Sequence, residues 1–324
     1  MTNYKKKLVI GTRSSRLALA QTRLFIDKLL LAHPDMSHDS VEICPIKTSG
    51  DQNQSIRLDQ MGGKGLFAKE IETELLKGTI DLAIHSMKDL PAVEHNELSI
   101  GCWLERYDHR DALLCNDNIK SISHLSKNSL IGTSSIRRRS QIINLRKDIS
   151  IKSLRGNVDT RIKKLTEKEF DAIILSVAGL KRLSLEHLIS FIFSENEMLP
   201  ASCQGAIGIQ IKLDNDNLKS FLSPLNHQLT EDLCTIERDV LIGIKANCNS
   251  PVGILATNEN NKTKLKCDIF DHDGNNIYSN TLFDAYSQRS EIGKQMGEDI
   301  LSNLGQEKID NLDILKNDFD YTTK

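Results

Sequence analysis

The stretch Ile131 to Arg161, IGTSSIRRRSQIINLRKDISIKSLRGNVDTR, carries eight Lys and Arg against two Asp, a local charge of +6 in a chain whose formal total is −2. The positive charge is therefore gathered in one place. A short apolar strand ending at Ile131 runs into Gly132-Thr133-Ser134-Ser135, and a helical segment opens with Arg137, Arg138 and Arg139. Small residues at a strand-to-helix turn let backbone N–H groups and the helix N-terminus face an anion, and hydroxyl and guanidinium groups add donors. A second strand-like run, Ile149 to Leu154, ends in Arg155-Gly156-Asn157, and Arg161 follows at helical spacing. Two strand ends thus deliver arginine to one edge, where planar donor forks suit a ligand bearing several carboxylates or phosphates. Arg139, Arg146 and Lys147 read instead as a solvated basic face.

Working outward, Ile10-Gly11-Thr12-Arg13-Ser14-Ser15 repeats the device of Ile131-Gly132-Thr133-Ser134-Ser135: strand, Gly-Thr, hydroxyls, helix. It opens each of two α/β domains. In the first, strands at Lys7 to Ile10, Val41 to Lys47, Asp81 to Ile84 and Leu98 to Leu104 alternate with helices reaching Leu30 and spanning Ala68 to Leu76. The charged crossover Glu105 to Asp111 marks a boundary, Phe170 to Leu175 is a buried strand of the second domain, and the strand around Ala206 to Gln210 returns to the first. A helix from about Leu229 to Ile244, strands Leu265 to Phe270 and Ile277 to Phe283, and a helix from Ser287 to Leu304 follow. Asp271-His272-Asp273-Gly274 lacks the distant Glu of a calcium loop and reads as a hairpin turn. The polar residues Asp310 to Lys324 are expected to fray. The expected division is 1–106 (completed by about 205–225), 107–204 and 226–324.

Composition narrows the function. With aromatics at 5% and a single tryptophan, Trp103, base-stacking surfaces are not suggested, and the net charge argues against a nucleic-acid partner. No apolar run approaches the roughly 20 residues of a membrane span. The first apolar stretch, Leu8 to Ile10, is too short for a signal peptide, so a cytoplasmic protein without a membrane partner is expected. Seven cysteines, at 44, 102, 115, 203, 234, 248 and 267, form no Cys-x-x-Cys pair and no zinc spacing, so neither disulfides nor a metal are expected.

Two further segments carry candidate chemistry. His85-Ser86-Met87-Lys88-Asp89-Leu90-Pro91 follows a short strand, at the end where open α/β sheets hold ligands. Lys88 offers a cation there, and Asp89 offers a carboxylate fit to stabilise a developing cation or to accept N–H bonds, unless it serves as a turn or cap residue. Met61-Gly62-Gly63-Lys64-Gly65-Leu66-Phe67 has too much glycine for a helix interior and lacks P-loop spacing. Lys64 is either an anion contact there or part of a plain flexible loop.

In chain order, IGTRSSxLAxxQ (10–21), GGKGLFxKE (62–70), HSMKDLP (85–91), RDAL (110–113), GTSSxRRR (132–139), LRGNVxTR (154–161), DAIILxxAGLKRL (171–183) and LPxxxQGAIGI (199–209) resemble the porphobilinogen deaminase, or hydroxymethylbilane synthase, family. The resemblance covers nearly the whole chain. It implies two periplasmic-binding-protein-like α/β domains around a cleft plus a small α+β C-terminal domain. It implies a transferase, acting as a monomer, that condenses four porphobilinogen molecules with loss of ammonia into hydroxymethylbilane. The primer is a dipyrromethane cofactor in thioether linkage, and the matching cysteine is Cys248. Asp89 matches the catalytic aspartate. Arg13, Ser15, Lys64, Lys88, Thr133, Ser134, Ser135, Arg137, Arg138, Arg155, Arg161 and Arg182 match the contacts to cofactor and substrate carboxylates. The chain departs from the family where Arg16 stands for proline, and where Asn247 and Cys203 stand for glycine. Asn247 is expected to take over the left-handed backbone that glycine serves. A competing reading, a non-catalytic two-lobed binding protein for a small polycarboxylate, requires a reversibly held ligand.

Overall fold

Apolar runs too short for helices, bounded by Gly, Ser and Asp, make the strands of two α/β sheets. The computed structural model describes residues 7–52, 68–117, 119–247, 250–286 and 289–313. In chain order the first unit contains β1 (Leu8–Arg13), α1 (Arg16–Ala32), β2 (Val41–Ile46), α2 (Ser49–Gln52), α3 (Lys69–Lys77), β3 (Leu82–Ser86) and β4 (Leu98–Trp103). Next come β5 (Asp111–Cys115), β6 (Leu130–Gly132), α4 (Ile136–Leu145), β7 (Ser150–Lys152), α5 (Val158–Thr166), β8 (Ala172–Ser176), α6 (Val177–Arg182) and β9 (Phe191–Ile192). The chain continues with β10 (Ile207–Lys212), α7 (Asp216–Leu222) and α8 (Gln228–Gly243). It closes with β11 (Val252–Glu259), β12 (Lys262–Phe270), β13 (Asn276–Ala285), α9 (Arg289–Leu304) and α10 (Gln306–Asp313). One compact unit takes the chain to Tyr107 together with Gly205–Asp232, and the other takes Asp108–Gln204 together with the chain from Leu233.

The first sheet has the order β2-β1-β3-β10-β4, the second β7-β6-β8-β5-β9, and β11-β12-β13 form a three-stranded antiparallel sheet. In each five-stranded sheet the first three strands are parallel, and the fourth, β10 or β5, runs antiparallel to both neighbours. Matching β1–β5 with β6–β10 in sequence order makes the two sheets identical in layout, with each repeat giving its fifth strand to the other's sheet. The short sequence echo is therefore a repeat of whole units.

Side-chain detail follows the same repeat. Asp81 accepts a hydrogen bond from Val9 N at 2.8 Å, and Asp171 accepts one from Leu130 N at 2.6 Å, so an aspartate before β3 and before β8 ties down the neighbouring strand. Ser15 and Ser135 both cap their helices, accepting from Ala18 N and Arg138 N. A Cβ on Gly132 would meet Leu154 and Phe170 at 2.9 Å, and one on Gly11 would overlap Ile80, so both turns need the missing side chain for close packing. DLAIHSMKDL (81–90) aligns with DAIILSVAGL (171–180) without a gap, and Lys88-Asp89 then falls opposite Ala178-Gly179.

The strands of the first sheet bury both faces. Leu8, Ile10, Leu82 and Ile84 pack with Phe25 and Leu29 of α1, while Ala83 on the opposite face packs with Ile71 and Leu75 of α3. In the second sheet Ile131 and Ile174 share a cluster with Ile142 of α4, and Ile173 and Leu175 join Leu165 and Leu180. α8 and α9 cover one face of the three-stranded sheet through Ile236, Val240, Ile292, Met296 and Ile300. The protein is thus mixed α/β, with two sheet–helix domains and a smaller α+β C-terminal domain, as the sequence led one to expect.

Several local expectations need correcting. Residues 310–313 belong to α10, where Leu312 is buried beside Ile309, because the helix carries an apolar stripe that the polar composition masked. Arg139 is not simply solvated, since its Nη1 donates to the His272 carbonyl at 2.8 Å. Arg146 pairs with Asp148 at 2.7 Å and donates to the Ile122 and Leu125 carbonyls. The strand β11 and the helix α7 had no counterpart in the sequence reading. Asn247 is not in the left-handed region; Lys245 is, at φ +55°, so the expected substitution logic fails at 247. Cys203 does have a left-handed backbone, with φ +58°, where a glycine would carry no Cβ cost.

Asp271 accepts from Asp273 N and Asn275 N at 3.0 and 2.8 Å, closing the β12–β13 turn as a hairpin. That turn packs on α4: Gly274 has φ +79°, and a Cβ there would lie 2.7 Å from Ile143 and 2.9 Å from the Ser140 carbonyl oxygen. Gly274→Ala therefore combines backbone strain with overpacking and is expected to destabilise the protein by about 1–3 kcal/mol. Urea unfolding with an unchanged midpoint would refute that account of the turn.

Candidate functional site

The order β2-β1-β3 places the next two strands of the chain on opposite sides of β1, which makes a topological switch point at its carboxyl end. A pocket opens there, lined by Arg13, Ser15, Gln21, His85, Ser86 and Asp89 among others. Each residue has a reason for its place. Arg13 is the last residue of β1 and Ser15 caps α1. Gln21, one turn and a half into α1, is buried and donates to the Ser86 hydroxyl at 2.7 Å, which joins the helix to the end of β3. A single turn of 3-10 helix, Met87–Asp89, then carries Lys88 and Asp89. Asp89 is the one carboxylate among the described residues lining the pocket.

His85 was not singled out in the sequence, and it is the least expected member. It is buried, and its Nε2 lies 3.0 Å from Gln210 Oε1 on β10. Burial pushes its pKa down to about 4; the bond to Gln210 and the charge of Asp89 oppose the shift, and Arg13 adds to it. The imidazole is therefore neutral at physiological pH. Its position at the end of a short buried strand, next to Ser86, was the available signal.

The second cluster of expected residues sits at the corresponding switch point of the other unit, where β6 lies between β7 and β8. Thr133 is buried, donates its backbone N–H to the Lys152 carbonyl at 3.1 Å and accepts from Ser135 N through its hydroxyl at 3.2 Å. The Ser134 hydroxyl donates to the Leu154 carbonyl at 2.7 Å and lies 3.0 Å from the Ser153 hydroxyl. Arg155 follows β7, and Gly156 behind it needs its φ of +105°. Arg161 on α5 donates from Nε to the Gly156 carbonyl at 2.8 Å, and Arg182 ends α6. β6 and β7 do end side by side, as Gly132 pairs with Lys152.

Arg137 and Arg138 are the exception. Both are nearly fully buried and grip Asp111, itself 0% exposed: Arg137 Nη2 at 2.8 Å, Arg138 Nη2 at 2.7 Å and Arg138 Nε at 3.1 Å. Arg137 Nη1 also donates to the Leu199 carbonyl, Arg138 Nη1 to the Ile174 carbonyl, and Gln204 Nε2 to Asp111 at 2.9 Å. Both guanidinium groups therefore lie inside the unit, held by a buried aspartate whose single charge is one unit short of neutralising them. Arg137 Nε, buried and without a hydrogen-bond partner among the described residues, is the donor left over. Burial lowers the Arg137 pKa, and the negative charge of Asp111 opposes that shift.

Lys64 and Cys248 lie outside the described residues. On either side, Asn247 N–H donates to the Ser250 hydroxyl at 2.9 Å and Ser250 N–H donates to the Asn247 carbonyl at 3.0 Å. Among the described residues one group offers three possible metal donors within 4.8 Å of one another, Cys203, Cys234 and Glu237. Both Glu237 oxygens already accept backbone N–H groups, from Cys203 at 2.5 Å and Ala256 at 2.9 Å, which explains the cluster as a buried tie between turn and helix. Arg16, where the family has proline, is the first residue of α1. Proline suits that position because its missing N–H is one of the helix's unpaired donors, whereas a cation there opposes the helix dipole.

Comparison with known proteins decides the family. Residues 8–220 match the profile described as porphobilinogen deaminase, dipyromethane cofactor binding domain, and residues 232–302 match porphobilinogen deaminase, C-terminal domain. The chain belongs to the porphobilinogen deaminase family. A porphobilinogen deaminase of Oceanobacillus iheyensis is 40% identical over 94% of this chain and 97% of its own length. One from Buchnera aphidicola is 39% identical over 96% and 98%, and the chloroplastic porphobilinogen deaminase of Oryza sativa 38% over 94% and 86%. Among solved structures, substrate binding domain 2 of Lactococcus lactis GlnP superposes with a TM-score of 0.41 at 10% identity over 69% of this chain and 89% of that one, too loose a fit to add to the assignment. Family membership favours the transferase over a non-catalytic polycarboxylate-binding protein. No described helix is long and apolar enough to cross a membrane.

Proposed function

We propose that this chain is the transferase that joins four porphobilinogen molecules head to tail, with loss of ammonia, into hydroxymethylbilane on a dipyrromethane primer, and that Asp89 is its catalytic residue. The observation that carries the assignment of Asp89 is its place: the lone carboxylate among the described residues lining a pocket at the switch point of a unit matched to the family's cofactor-binding domain. The donor set fits a dipyrromethane, which would bring both carboxylates and pyrrole N–H groups to the site. Arg13 and Ser15 line the pocket with Asp89 and Lys88 precedes it in the chain, offering donors for carboxylates, while Asp89 supplies the acceptor for N–H.

When bound, the dipyrromethane supplies the free pyrrole α-carbon at which the new C–C bond forms. The chain's own groups do the rest. When the aminomethyl C–N bond of porphobilinogen breaks, its electron pair leaves with nitrogen, and the remaining methylene-pyrrole carries positive charge. Asp89 offers a fixed negative charge to that cation and so stabilises it. It is also placed to take the proton released when the attacked ring regains aromaticity and to pass it to the ammonia already released. Arg13, Ser15, Lys64, Lys88, Thr133, Ser134, Ser135, Arg155, Arg161 and Arg182 hold acetate and propionate groups, each charge-assisted bond contributing about 1.5–3 kcal/mol. For Arg137 and Arg138 the contribution is mainly to position Thr133–Ser135, with Arg137 Nε as the remaining direct donor.

In this reading residues 226–324 form the attachment domain, Cys248 bears the thioether, and the enzyme works as a cytoplasmic monomer. Intact mass spectrometry tests the linkage. The wild-type protein and Cys203→Ala are expected to exceed the polypeptide mass by two linked pyrrole units, and Cys248→Ala to lack that excess. An unmodified wild-type protein that still consumes porphobilinogen would contradict the covalent scheme.

A further inference from the structure

The Asp89 pocket has a polar support on its sheet side. Gln210 on β10 pairs in register with Ala83 and lies on the same sheet face as His85, whose direct partner across the ladder is Gly208. With no side chain at Gly208, Gln210 reaches His85 diagonally. Its other end meets α3: Gln210 Nε2 donates to Glu72 Oε1 at 2.9 Å. The series Glu72, Gln210, His85 thus runs from a covering helix through the sheet to the pocket wall.

Hydrogen-bond chemistry orders this series. An ionised carboxylate only accepts, so the Gln210 amide nitrogen must face Glu72; the reverse orientation would set two acceptor oxygens against each other. Gln210 Oε1 then faces His85 and has no hydrogen to give. His85 Nε2 must carry the proton, and Nδ1 is left bare.

We propose that Glu72, acting through Gln210, locks His85 in the Nε2–H form so that its bare Nδ1 is a neutral acceptor in the pocket wall for a pyrrole or ammonium N–H of the substrate. His85 is then a positioning and recognition residue beside Asp89. Neutrality matters as much as tautomer. An imidazolium in this pocket would pair with Asp89 and repel the cation that loss of ammonia creates. Burial of His85, away from water and near Arg13, prevents that, so Asp89 keeps its negative charge for the substrate. The repeat supports a role particular to this unit, since Leu175 stands at the corresponding place in the other.

The inference rests on the reading of Asp89 as catalytic, yet its first test needs no turnover. Holoenzyme labelled with [15N]histidine, with the His85 signals assigned by loss in His85→Asn, is expected to show Nδ1 as a bare ring nitrogen and Nε2 as N–H at neutral pH. Glu72→Gln frees the Gln210 amide to turn, so His85 should become a mixture of tautomers, and kcat should fall roughly three- to tenfold with KM unchanged, the value of one hydrogen bond. An Nδ1–H or doubly protonated His85 in the wild-type protein overturns the proposal. So does a Glu72→Gln enzyme with mixed tautomers and full kcat. The assay of Asp89→Asn addresses the other reading separately, because the nitrogen signals are recorded without substrate.

Discussion

Asp89→Asn lowers porphobilinogen consumption by about 10²–10³-fold, the range seen when a single preorganised group facing a transition-state charge is removed. The substitution keeps the shape and one acceptor oxygen and deletes the charge. Among its described lining residues the pocket holds no second carboxylate to take over. His85 cannot, because a neutral imidazole offers a lone pair and no negative charge. Folding should be untouched, with the urea midpoint of the variant matching wild type, since Asp89 ends a half-buried 3-10 turn away from the apolar clusters. Initial rates measured alongside the unfolding curve separate the two effects. A rate within tenfold of wild type would remove Asp89 from the chemistry.

The largest effect on stability is expected at Asp111, a residue in the first strand after the crossover. Asp111→Asn leaves the buried guanidinium groups of Arg137 and Arg138 without their counter-charge. Removing one partner of a buried ion pair costs about 3–5 kcal/mol, much of it the penalty of the charge left behind. For a protein of this size that corresponds to a fall in Tm on the order of 10 °C. Replacing the whole group, Asp111→Asn together with Arg137→Met and Arg138→Met, should recover part of the loss, because the stranded charges are gone. If Asp111→Asn alone unfolds like wild type, the triad is not what holds α4 to β5.

How far the sequence could be read depended on whether the signal was local. The turn at Gly132-Thr133-Ser134-Ser135 was legible because small residues and hydroxyls next to an apolar run mean the same thing wherever they occur. The strand pairs around Asp271–Gly274 were legible for the same reason. The pairing of Arg137 and Arg138 with Asp111 was not legible, since their partner lies 26 and 27 residues upstream and a run of arginines looks alike whether it faces water or a buried aspartate. His85 escaped notice because its meaning depends on Gln210, 125 residues away, and on Glu72 beyond it. β11 was missed because Ser250-Pro251 hid a strand start behind turn residues. Asp89 could be named from its motif, but its pocket became visible only with the strand order.

The exchange of fifth strands also sets a timetable. β10 lies between β3 and β4 in the first sheet, so that sheet has a gap until residue 212 has left the ribosome, although β4 is finished at residue 103. At typical synthesis speeds the amino-terminal half waits roughly 5–20 s with the edges of β3 and β4 unpaired. During that interval it is a nascent chain exposed to strand-pairing errors. A fragment ending near residue 107 should therefore be aggregation-prone however well its own helices form, and the two halves should melt together in the finished protein.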